Sequence, residues 1–174
     1  MSIATEMPRD VTIRAARIDE ADMLTALCTR SKRHWGYDDT FMARSAISLR
    51  VRAGAIADGR VFVASPADQP GRALGMAELT RMTDGIIDLD KLFVDPPAIG
   101  HGVGARLLVH AVDAVRQRGA RCMTVLADPN AAAFYEKMGA RFLRMAPSDA
   151  IPGRELPFYE FDVTVPLRST AMAT

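Results

Sequence analysis

Apolar residues recur along the chain at two spacings: alternate positions, typical of strands, and every third or fourth position, typical of helices. Met23, Leu24 and Leu27 follow the helical spacing behind Asp19, which is a predicted helix N-cap. The whole pattern predicts strands at 11–15, 61–64, 73–80, 86–94, 122–127, 142–145 and 158–165, and helices at 20–27, 40–51, 104–118 and 131–138. Antiparallel strands come first and a single crossover helix follows, so this order predicts an α+β domain with a mixed sheet.

The strand predicted at 86–94 is the clearest in the sequence and follows Asp84-Gly85, a dipeptide typical of hairpin turns. Its side chains should alternate between two faces, with Asp88, Asp90, Leu92 and Val94 on one and Leu89, Lys91 and Phe93 on the other. Pro96 and Pro97 end the strand, and a glycine-rich segment leads from them into the helix at 104–118.

Glycines 100, 102 and 104 make up that segment. Glycine lacks the Cβ atom that would keep a ligand away from the backbone, and the first N–H groups of a helix attract anions. The segment therefore predicts a phosphate-binding turn, although a sharp turn that only requires positive φ would also use these glycines. A dinucleotide site is an alternative, because Gly100, Gly102 and Ala105 fit its fingerprint, but residues 95–99 separate them from the strand. A P-loop is excluded because no Gly-Lys-Ser/Thr follows.

Composition and charge narrow the function classes. Apolar residues make up 49% of the 174 residues and the net charge is +1, so no nucleic acid or anionic membrane is expected as a partner. Cys28 and Cys122 lie in apolar contexts without metal-ligand spacing, and we expect reduced core residues and no metal site. The sequence shows no signal core and no transmembrane run. We therefore expect a cytoplasmic protein with a single domain over 1–174 and flexible ends at 1–10 and 169–174.

Two motifs indicate which known family the sequence resembles. The first joins Leu92-Phe93-Val94-Asp95-Pro96 to the glycines at 100–104 and to Leu107-Leu108, and the second joins Asn130-Ala131 to Phe134-Tyr135-Glu136-Lys137-Met138-Gly139. Together they closely resemble the GNAT superfamily of N-acetyltransferases, most strongly over 86–142 and in outline from 11 to 165. The resemblance implies a GNAT domain over 11–165, an α/β/α sandwich whose mixed, mostly antiparallel sheet has about seven strands, a splayed strand pair and flanking helices.

The resemblance also implies that acetyl-coenzyme A is the co-substrate and that an amine of a small molecule or peptide is the acceptor. The residues that would bind the coenzyme are Leu92, Phe93, Val94, Ile99, Gly100, His101, Gly102, Val103, Gly104, Ala105, Asn130, Ala133, Phe134, Tyr135 and Lys137. Ile99 stands where the family usually has Arg or Gln, so one side-chain contact to the pyrophosphate is expected to be lost. The aromatic residue that usually follows the second motif's glycine is shifted from position 140 to Phe142.

Acetyl transfer requires a neutral amine, a polarised thioester carbonyl and a protonated leaving sulfur. Tyr135 matches the family tyrosine that gives its proton to the thiolate, and a backbone N–H near Phe93 or Val94 would polarise the carbonyl. Asp90 is the candidate general base, with an exposed strand carboxylate as an equal alternative. Asn130 could cap the following helix or bond the pantetheine amide. Neither cysteine falls near the expected thioester, which favours direct attack in a ternary complex over a covalent intermediate.

The acceptor pocket of the family matches the loop after the first helix, with His34, Trp35 and Tyr37, and the last hairpin, with Arg154. Trp35 could instead fill the core, and His34 and Arg154 could simply be exposed. Family members often form homodimers, so a homodimer is also expected. Two further function classes stay open: a coenzyme A-binding sensor without turnover and, less favoured, an NAD-dependent oxidoreductase.

Overall fold

Seven β-strands form one mixed sheet in the computed structural model, which describes Pro8 and residues 10–167. The strands are β1 (Val11–Ala15), β2 (Val61–Pro66), β3 (Gly75–Leu79), β4 (Ile86–Val94), β5 (Cys122–Leu126), β6 (Arg141–Pro147) and β7 (Glu155–Asp162). They lie in the order β1-β2-β3-β4-β5-β7-β6, and β4 with β5 is the one parallel pair among the described strands. The predicted α+β fold with a mostly antiparallel sheet is confirmed.

Five α-helices accompany the described strands: α1 (Ala21–Arg33), α2 (Asp39–Leu49), α3 (Ala53–Ala57), α4 (Val103–Gln117) and α5 (Ala132–Lys137). The crossover from β4 to β5 is α4, and Gly119 after it has a φ of 75°, the left-handed conformation that commonly ends a helix. None of the described helices is both long and apolar enough to cross a membrane. The ends predicted to be flexible, 1–10 and 169–174, lie outside the described residues apart from Pro8 and Asp10.

Three local predictions differ from the structure. Asp19 does not cap α1, because it lies in a separate 3-10 turn, Ile18–Glu20, ahead of the helix. The helix predicted at 40–51 begins and ends earlier, since Asp38 caps α2 by accepting a hydrogen bond from the N–H of Phe41 at 2.8 Å. The strand predicted at 158–165 begins and ends three residues earlier, because β7 runs from Glu155 to Asp162.

Separate hydrophobic clusters cover the two faces of the sheet. On one face α4 packs through the apolar stripe that the sequence predicts, and its members are all buried: Leu107, Leu108, Ala111, Val112 and Val115. On the other face the buried residues that join α1 and α2 to β2 and β3 include Leu24, Leu27, Met42, Leu49, Val61, Val63 and Met76. The sheet therefore has helices on both faces, as the expected α/β/α sandwich requires.

The parallel neighbours β4 and β5 pair over only a short length. Their ladder joins Ile86, Ile87 and Asp88 to residues 122–124, and it stops there. Beyond this point β4 keeps partners on β3 alone, while β5 keeps partners on β7 alone. A gap therefore opens in the sheet beside the C-terminal half of β4, and the predicted splayed strand pair is confirmed.

A β-bulge lies in β4 where the gap begins. The register pairs Leu89 and Lys91 with successive residues of β3, so Asp90 between them has no partner on that strand. The extra residue shifts the alternation of side chains, and Leu89, Leu92 and Val94 all pack in the cluster with α4. The predicted alternation, which placed Leu89 opposite Leu92 and grouped Asp90 with Leu92 and Val94, is therefore wrong at the bulge.

Close packing at Gly75 offers a test of this part of the fold. A Cβ atom there would lie 2.9 Å from the carbonyl oxygen of Phe93 and 3.1 Å from Cγ1 of Val103. We expect Gly75→Ala to lower the free energy of unfolding by about 1–3 kcal/mol in a urea titration, because the backbone oxygen cannot move cheaply. Gly54→Ala is the control, since no atom lies within 4 Å of its Cβ, and it should be neutral or stabilising. Equal effects of the two substitutions would contradict the packing.

Candidate active site

A cavity of about 480 Å³ lies at the open end of the gap, between the C-terminal end of β4 and the segment that follows β5. Its wall is built from the C-terminal end of β4, the turn before α4, the last turn of α1, and the segment from Asp128 to Met138. Of the residues predicted to bind the coenzyme, those that line it are Leu92, Phe93, Val94, Ile99, Gly100, Gly102, Gly104, Ala105, Asn130, Phe134, Tyr135 and Lys137. One cavity thus brings together residues from both sequence motifs.

The glycine turn shapes the wall beside the start of α4. Gly100 and Gly102 have φ values of 82° and 79°, a backbone conformation that other residues rarely adopt, so the turn itself requires these two glycines. Gly104 lies in the first turn of α4. A Cβ atom there would contact the side chains of Val94 and Phe134, which line the cavity, at 3.5 and 3.6 Å. Gly100 and Gly102 therefore form the turn, and Gly104 leaves the first turn of α4 without a side chain at this position.

Free backbone donors surround this turn. Within residues 10–167, the N–H groups of Val103, Gly104 and Ala105 donate to no backbone or side-chain acceptor, whereas Arg106 already closes the first helical bond to Gly102 at 3.1 Å. Unbonded N–H groups at a helix N-terminus, together with the helix dipole, favour an anion. The turn thus has both the donors and the open surface that a phosphate group requires.

The edge of β4 that faces the gap carries further backbone donors. The N–H of Asp95 donates to the carbonyl of Leu74 at 2.9 Å, on the β3 side of the strand. Because N–H groups alternate sides along a strand, the N–H of Phe93 also points towards β3, and those of Leu92 and Val94 point into the gap. A thioester carbonyl in the gap would therefore lie nearer the N–H groups of Leu92 and Val94 than that of Phe93.

Tyr135 on α5 presents its phenol to the cavity. The side chain is 5% exposed and packs among Phe134, Tyr159 and Phe161. Its hydroxyl forms no hydrogen bond with another residue in the described part of the chain, unlike the hydroxyl of Tyr159, which donates to Glu136 at 2.7 Å. Burial raises the pKa of Tyr135 far above its ordinary value, so the phenol keeps its proton at neutral pH. It is a protonated donor without a protein partner.

Asp90 does not line the cavity. Its carboxylate contacts the ammonium group of Lys91, which is buried and lies 3.1 Å from Oε2 of Glu78. The position predicted for a general base is therefore occupied by a bulge residue that pairs with a buried lysine. Neither cysteine lines the cavity, and burial raises the pKa of the Cys28 thiol to about 12, so it is a poor nucleophile.

A cluster of polar side chains, here called the Asp128 cluster, lies beside the cavity and consists of Lys32, Tyr37, Asp128, Asn130 and Arg154. Lys32 Nζ donates to Asp128 Oδ2 at 2.5 Å, and the hydroxyl of Tyr37 donates to the same carboxylate at 2.9 Å. Arg154 donates to the oxygen of Tyr37 at 2.7 Å. The cluster connects α1, the loop before α2, the segment after β5 and the turn between β6 and β7.

Asp128 rather than Asn130 is the capping residue of this segment. The Asp128 carboxylate accepts from the backbone N–H of Asn130 at 2.9 Å in the 3-10 turn before α5, and the Asn130 amide donates to Asp128 and to Tyr37. The helix-capping alternative for Asn130 is therefore wrong, while its side chain remains at the cavity wall. Burial alone would raise the pKa of Asp128, but the hydrogen bonds from Lys32 and Asn130 hold that pKa below its ordinary value.

Some predicted site residues lie elsewhere. Trp35 lines the cavity with 44% of its surface exposed, so it does not fill the core, whereas His34 is exposed and outside the lining. Val103 is buried in the cluster beneath α4, because its side chain points inward from the first helical turn. His101 and Ala133 are exposed and do not line the cavity.

Sequence reasoning missed several residues of the wall: Ser31, Lys32, Ala98, Asp128, Ala131 and Met138. Ser31 lies two helical turns after Leu24 and therefore on the same face of α1. Extending the predicted helix 20–27 along this face would have identified the end of α1 as part of the wall. In the sequence, Asp128 lies at the distance behind Gly100 that suits the ribose-binding acid of a dinucleotide site, and this spacing points to a different kind of site. A single parallel strand pair among the described strands leaves no run of βαβ units for such a site.

Several solved structures share this fold. The PaiA N-acetyltransferase from Thermoplasma acidophilum, solved in complex with coenzyme A, is 16% identical, with a TM-score of 0.71 over 88% of this chain and 99% of that one. YncA from Salmonella typhimurium, an acetyltransferase solved with acetyl-coenzyme A, is 20% identical, with a TM-score of 0.64 over 88% and 94%. The ribosomal-protein-S18-alanine N-acetyltransferase from Escherichia coli is 17% identical, with a TM-score of 0.62 over 88% and 94%.

A search of curated proteins finds no match to the sequence. The family model described as "Acetyltransferase (GNAT) family" matches residues 24–140, which contain both sequence motifs and most of the cavity wall. This match covers well over half of the chain, and the chain therefore belongs to the GNAT acetyltransferase family.

Proposed function

We propose that this protein is an N-acetyltransferase that moves the acetyl group of acetyl-coenzyme A to an amine by direct attack in a ternary complex. The observation that carries the proposal is the cavity between β4 and β5, whose wall combines free N–H groups at the start of α4 with the unpartnered phenol of Tyr135. The neighbours solved with coenzyme A and with acetyl-coenzyme A support it. The unpaired cysteines support the cytoplasmic location that we also propose, and the homodimer stays a prediction.

The wall offers a place for each part of the coenzyme. The N–H groups of Val103, Gly104 and Ala105 would bind the pyrophosphate, with little help from the apolar side chain of Ile99. The pantetheine arm would lie along β4 like an added strand, because the N–H and C=O groups of β4 beyond Asp88 have no partner on β5. The thioester would then lie close to Leu92, Val94 and Tyr135.

Acetyl-coenzyme A supplies an activated acyl group: a C–N bond forms, the C–S bond breaks, the amine loses a proton and the sulfur gains one. The N–H of Leu92 or Val94 would donate to the carbonyl oxygen as negative charge develops there. Tyr135 would give its proton to the sulfur, which suits a phenol that stays protonated at neutral pH. No cysteine enters the reaction, because neither one lines the cavity.

The decisive test is thiol release from acetyl-coenzyme A across an amine panel, combined with calorimetric binding of coenzyme A. Thiol release that depends on an amine establishes the transfer. Tight binding of coenzyme A without turnover of any amine would show the sensor function instead, and absence of coenzyme A binding would refute both.

Removing the phenol separates catalysis from binding. We expect Tyr135→Phe to lower kcat about 100-fold or more while the KM for acetyl-coenzyme A stays constant, because the proton reaches the sulfur only as the bond breaks. Tyr159→Phe is the matched control, since its hydroxyl is bonded to Glu136 and its ring does not line the cavity. It should lose about 1 kcal/mol of stability and keep its kcat. Equal losses of kcat in both variants would argue against the acid role of Tyr135.

The apolar side chain at position 99 gives a gain-of-affinity prediction. We expect Ile99→Arg to tighten coenzyme A binding about 5- to 10-fold in calorimetry, because a guanidinium group would add a charge-assisted bond to the pyrophosphate. Binding of acetylpantetheine, which has no pyrophosphate, should not change. His101→Arg places the same charge on an exposed neighbour outside the cavity wall and should have a much smaller effect. An unchanged Kd for Ile99→Arg would place the pyrophosphate elsewhere.

The pH dependence should follow the acceptor rather than the protein. The titratable residues that line the cavity are Lys32, Asp128, Tyr135 and Lys137. Asp128 has a lowered pKa and Tyr135 a raised one, so neither should titrate between about pH 6 and 9. We expect kcat/KM for the acceptor to rise with pH and to level off at the pKa of its own amine. Two acceptors of different basicity check this, and an inflection at the same pH for both would reveal a protein base.

A further inference from the structure

The carboxylate of Asp128 has all of its accepting positions occupied. Four donors reach it: Lys32 Nζ at 2.5 Å, the hydroxyl of Tyr37 at 2.9 Å, and the backbone and side-chain nitrogens of Asn130 at 2.9 and 3.0 Å. A carboxylate offers about four lone-pair sites, so none is left for an incoming ammonium group. The only negative charge of the Asp128 cluster is therefore closed to a ligand.

The two cations of the cluster have N–H groups that are bonded to no acceptor among the described residues. Lys32 has one acceptor, Asp128, although an ammonium group carries three N–H bonds. Arg154 uses only Nη2, towards Tyr37, and its Nε and Nη1 donate to no residue within 10–167. Two cations face one carboxylate, so the cluster keeps a net positive charge and several unused donors. An anion would neutralise this charge and accept hydrogen bonds from the unused donors.

Both cations are close together and partly withdrawn from water. Arg154 Nη2 lies 3.8 Å from Asp128 Oδ2, the same oxygen that Lys32 contacts, and the side chains of Lys32 and Arg154 are 13% and 20% exposed. One carboxylate can therefore touch both cations. Partial burial reduces the screening that makes exposed ion pairs weak.

Aromatic rings hold the guanidinium group of Arg154 in place. Tyr37 and Phe41 stack with their centroids 4.0 Å apart, and the guanidinium carbon lies 4.8 Å from the Phe41 centroid and 5.2 Å from that of Tyr37. A guanidinium fixed on aromatic rings loses less entropy when its remaining N–H groups bind a carboxylate. The arrangement is thus prepared for a planar anion.

We propose that the amine acceptor carries a carboxylate, as a free amino acid does, and that Lys32 and Arg154 bind this carboxylate. The inference rests on the proposed acetyl transfer and assigns the acceptor class for the same site. Lys32 lines the cavity itself, so a carboxylate bound there would bring the acceptor's amine towards the thioester. A diamine or polyamine would meet a positively charged cluster without a free acceptor.

The first experiment uses the wild-type protein and matched acceptors: an amino acid, its amide and the amine left after decarboxylation. We expect kcat/KM, measured by thiol release, to be about 10- to 100-fold higher for the amino acid than for either analogue. Calorimetry with coenzyme A present, which allows binding without reaction, should show the amino acid binding and the two analogues binding more weakly by a similar factor.

The second experiment changes the charges and keeps the hydrogen-bond donors. Lys32→Gln and Arg154→Gln should each raise the KM for the amino acid about 10-fold or more and change the KM for the decarboxylated amine much less, because only the amino acid carries the carboxylate. Arg144→Gln is the matched control, because Arg144 stacks on Phe158 at 5.1 Å in the same hairpin and has no part in the cluster. Thermal unfolding confirms that each variant is folded.

The outcomes separate the two proposals. Equal or better turnover of the amide and the decarboxylated amine overturns the carboxylate inference and leaves the acetyl transfer standing. Equal effects of the three Gln variants overturn it as well. If coenzyme A binds but no acceptor releases thiol, the calorimetric comparison of acid and amide alone decides the inference, while the proposed transfer fails.

Discussion

The parting of β4 from β5 leaves backbone N–H and C=O groups on both strands without a ladder partner. Buried backbone groups are nearly always paired, and one left without a partner costs about 1–3 kcal/mol. The gap must therefore hold water or a ligand that supplies its own amides. The glycine turn and the phenol of Tyr135 line the cavity at this gap, and the Asp128 cluster reaches it through Lys32, Asp128 and Asn130.

The position of the gap is fixed by charge as well as by hydrogen bonds. On its closed side, β4 and β5 are joined by the ladder at Ile86–Asp88 and by a hydrogen bond from Thr124 to Asp88. At the bulge, Lys91 lies opposite Glu78 and is buried with it. A slip of one residue in this register would place the buried carboxylate of Glu78 opposite Asp90, another carboxylate, and away from the cation of Lys91. Because an unpaired buried charge is strongly destabilising, the pair selects the bulged register over an unbroken ladder.

The element order, the sheet class and most of the coenzyme-side wall follow from local sequence signals. Periodicity predicts α4 and its buried stripe, and Asp84 and Gly85 indeed adopt the positive φ values, 52° and 76°, that a tight hairpin requires. Periodicity alone does not show the bulge, because apolar and polar residues alternate through Asp90 without a break. The family resemblance implies a bulged strand around Leu92–Val94, and the structure has the bulge at Asp90. The Asp128 cluster was only partly predictable, because its residues lie in segments that are far apart in the sequence. Tyr37 and Arg154 were identified in separate loops, but Asp128, which joins them, belongs to a third segment brought near only by folding.

The groups proposed for chemistry and those proposed for acceptor selectivity lie on different elements of the fold. The groups proposed to act on the thioester are the N–H of Leu92 or Val94 and the phenol of Tyr135, which are neutral donors and would serve any acceptor equally. Because the N–H groups belong to the backbone, substitution of the side chains at Leu92 and Val94 does not remove them. The charges of Lys32 and Arg154 come from side chains at the end of α1 and in the turn before β7, outside the two strands that border the gap. If Lys32 and Arg154 bind the acceptor as proposed, a change of acceptor requires changes in these peripheral segments, and the proposed transfer chemistry beside β4 can stay constant.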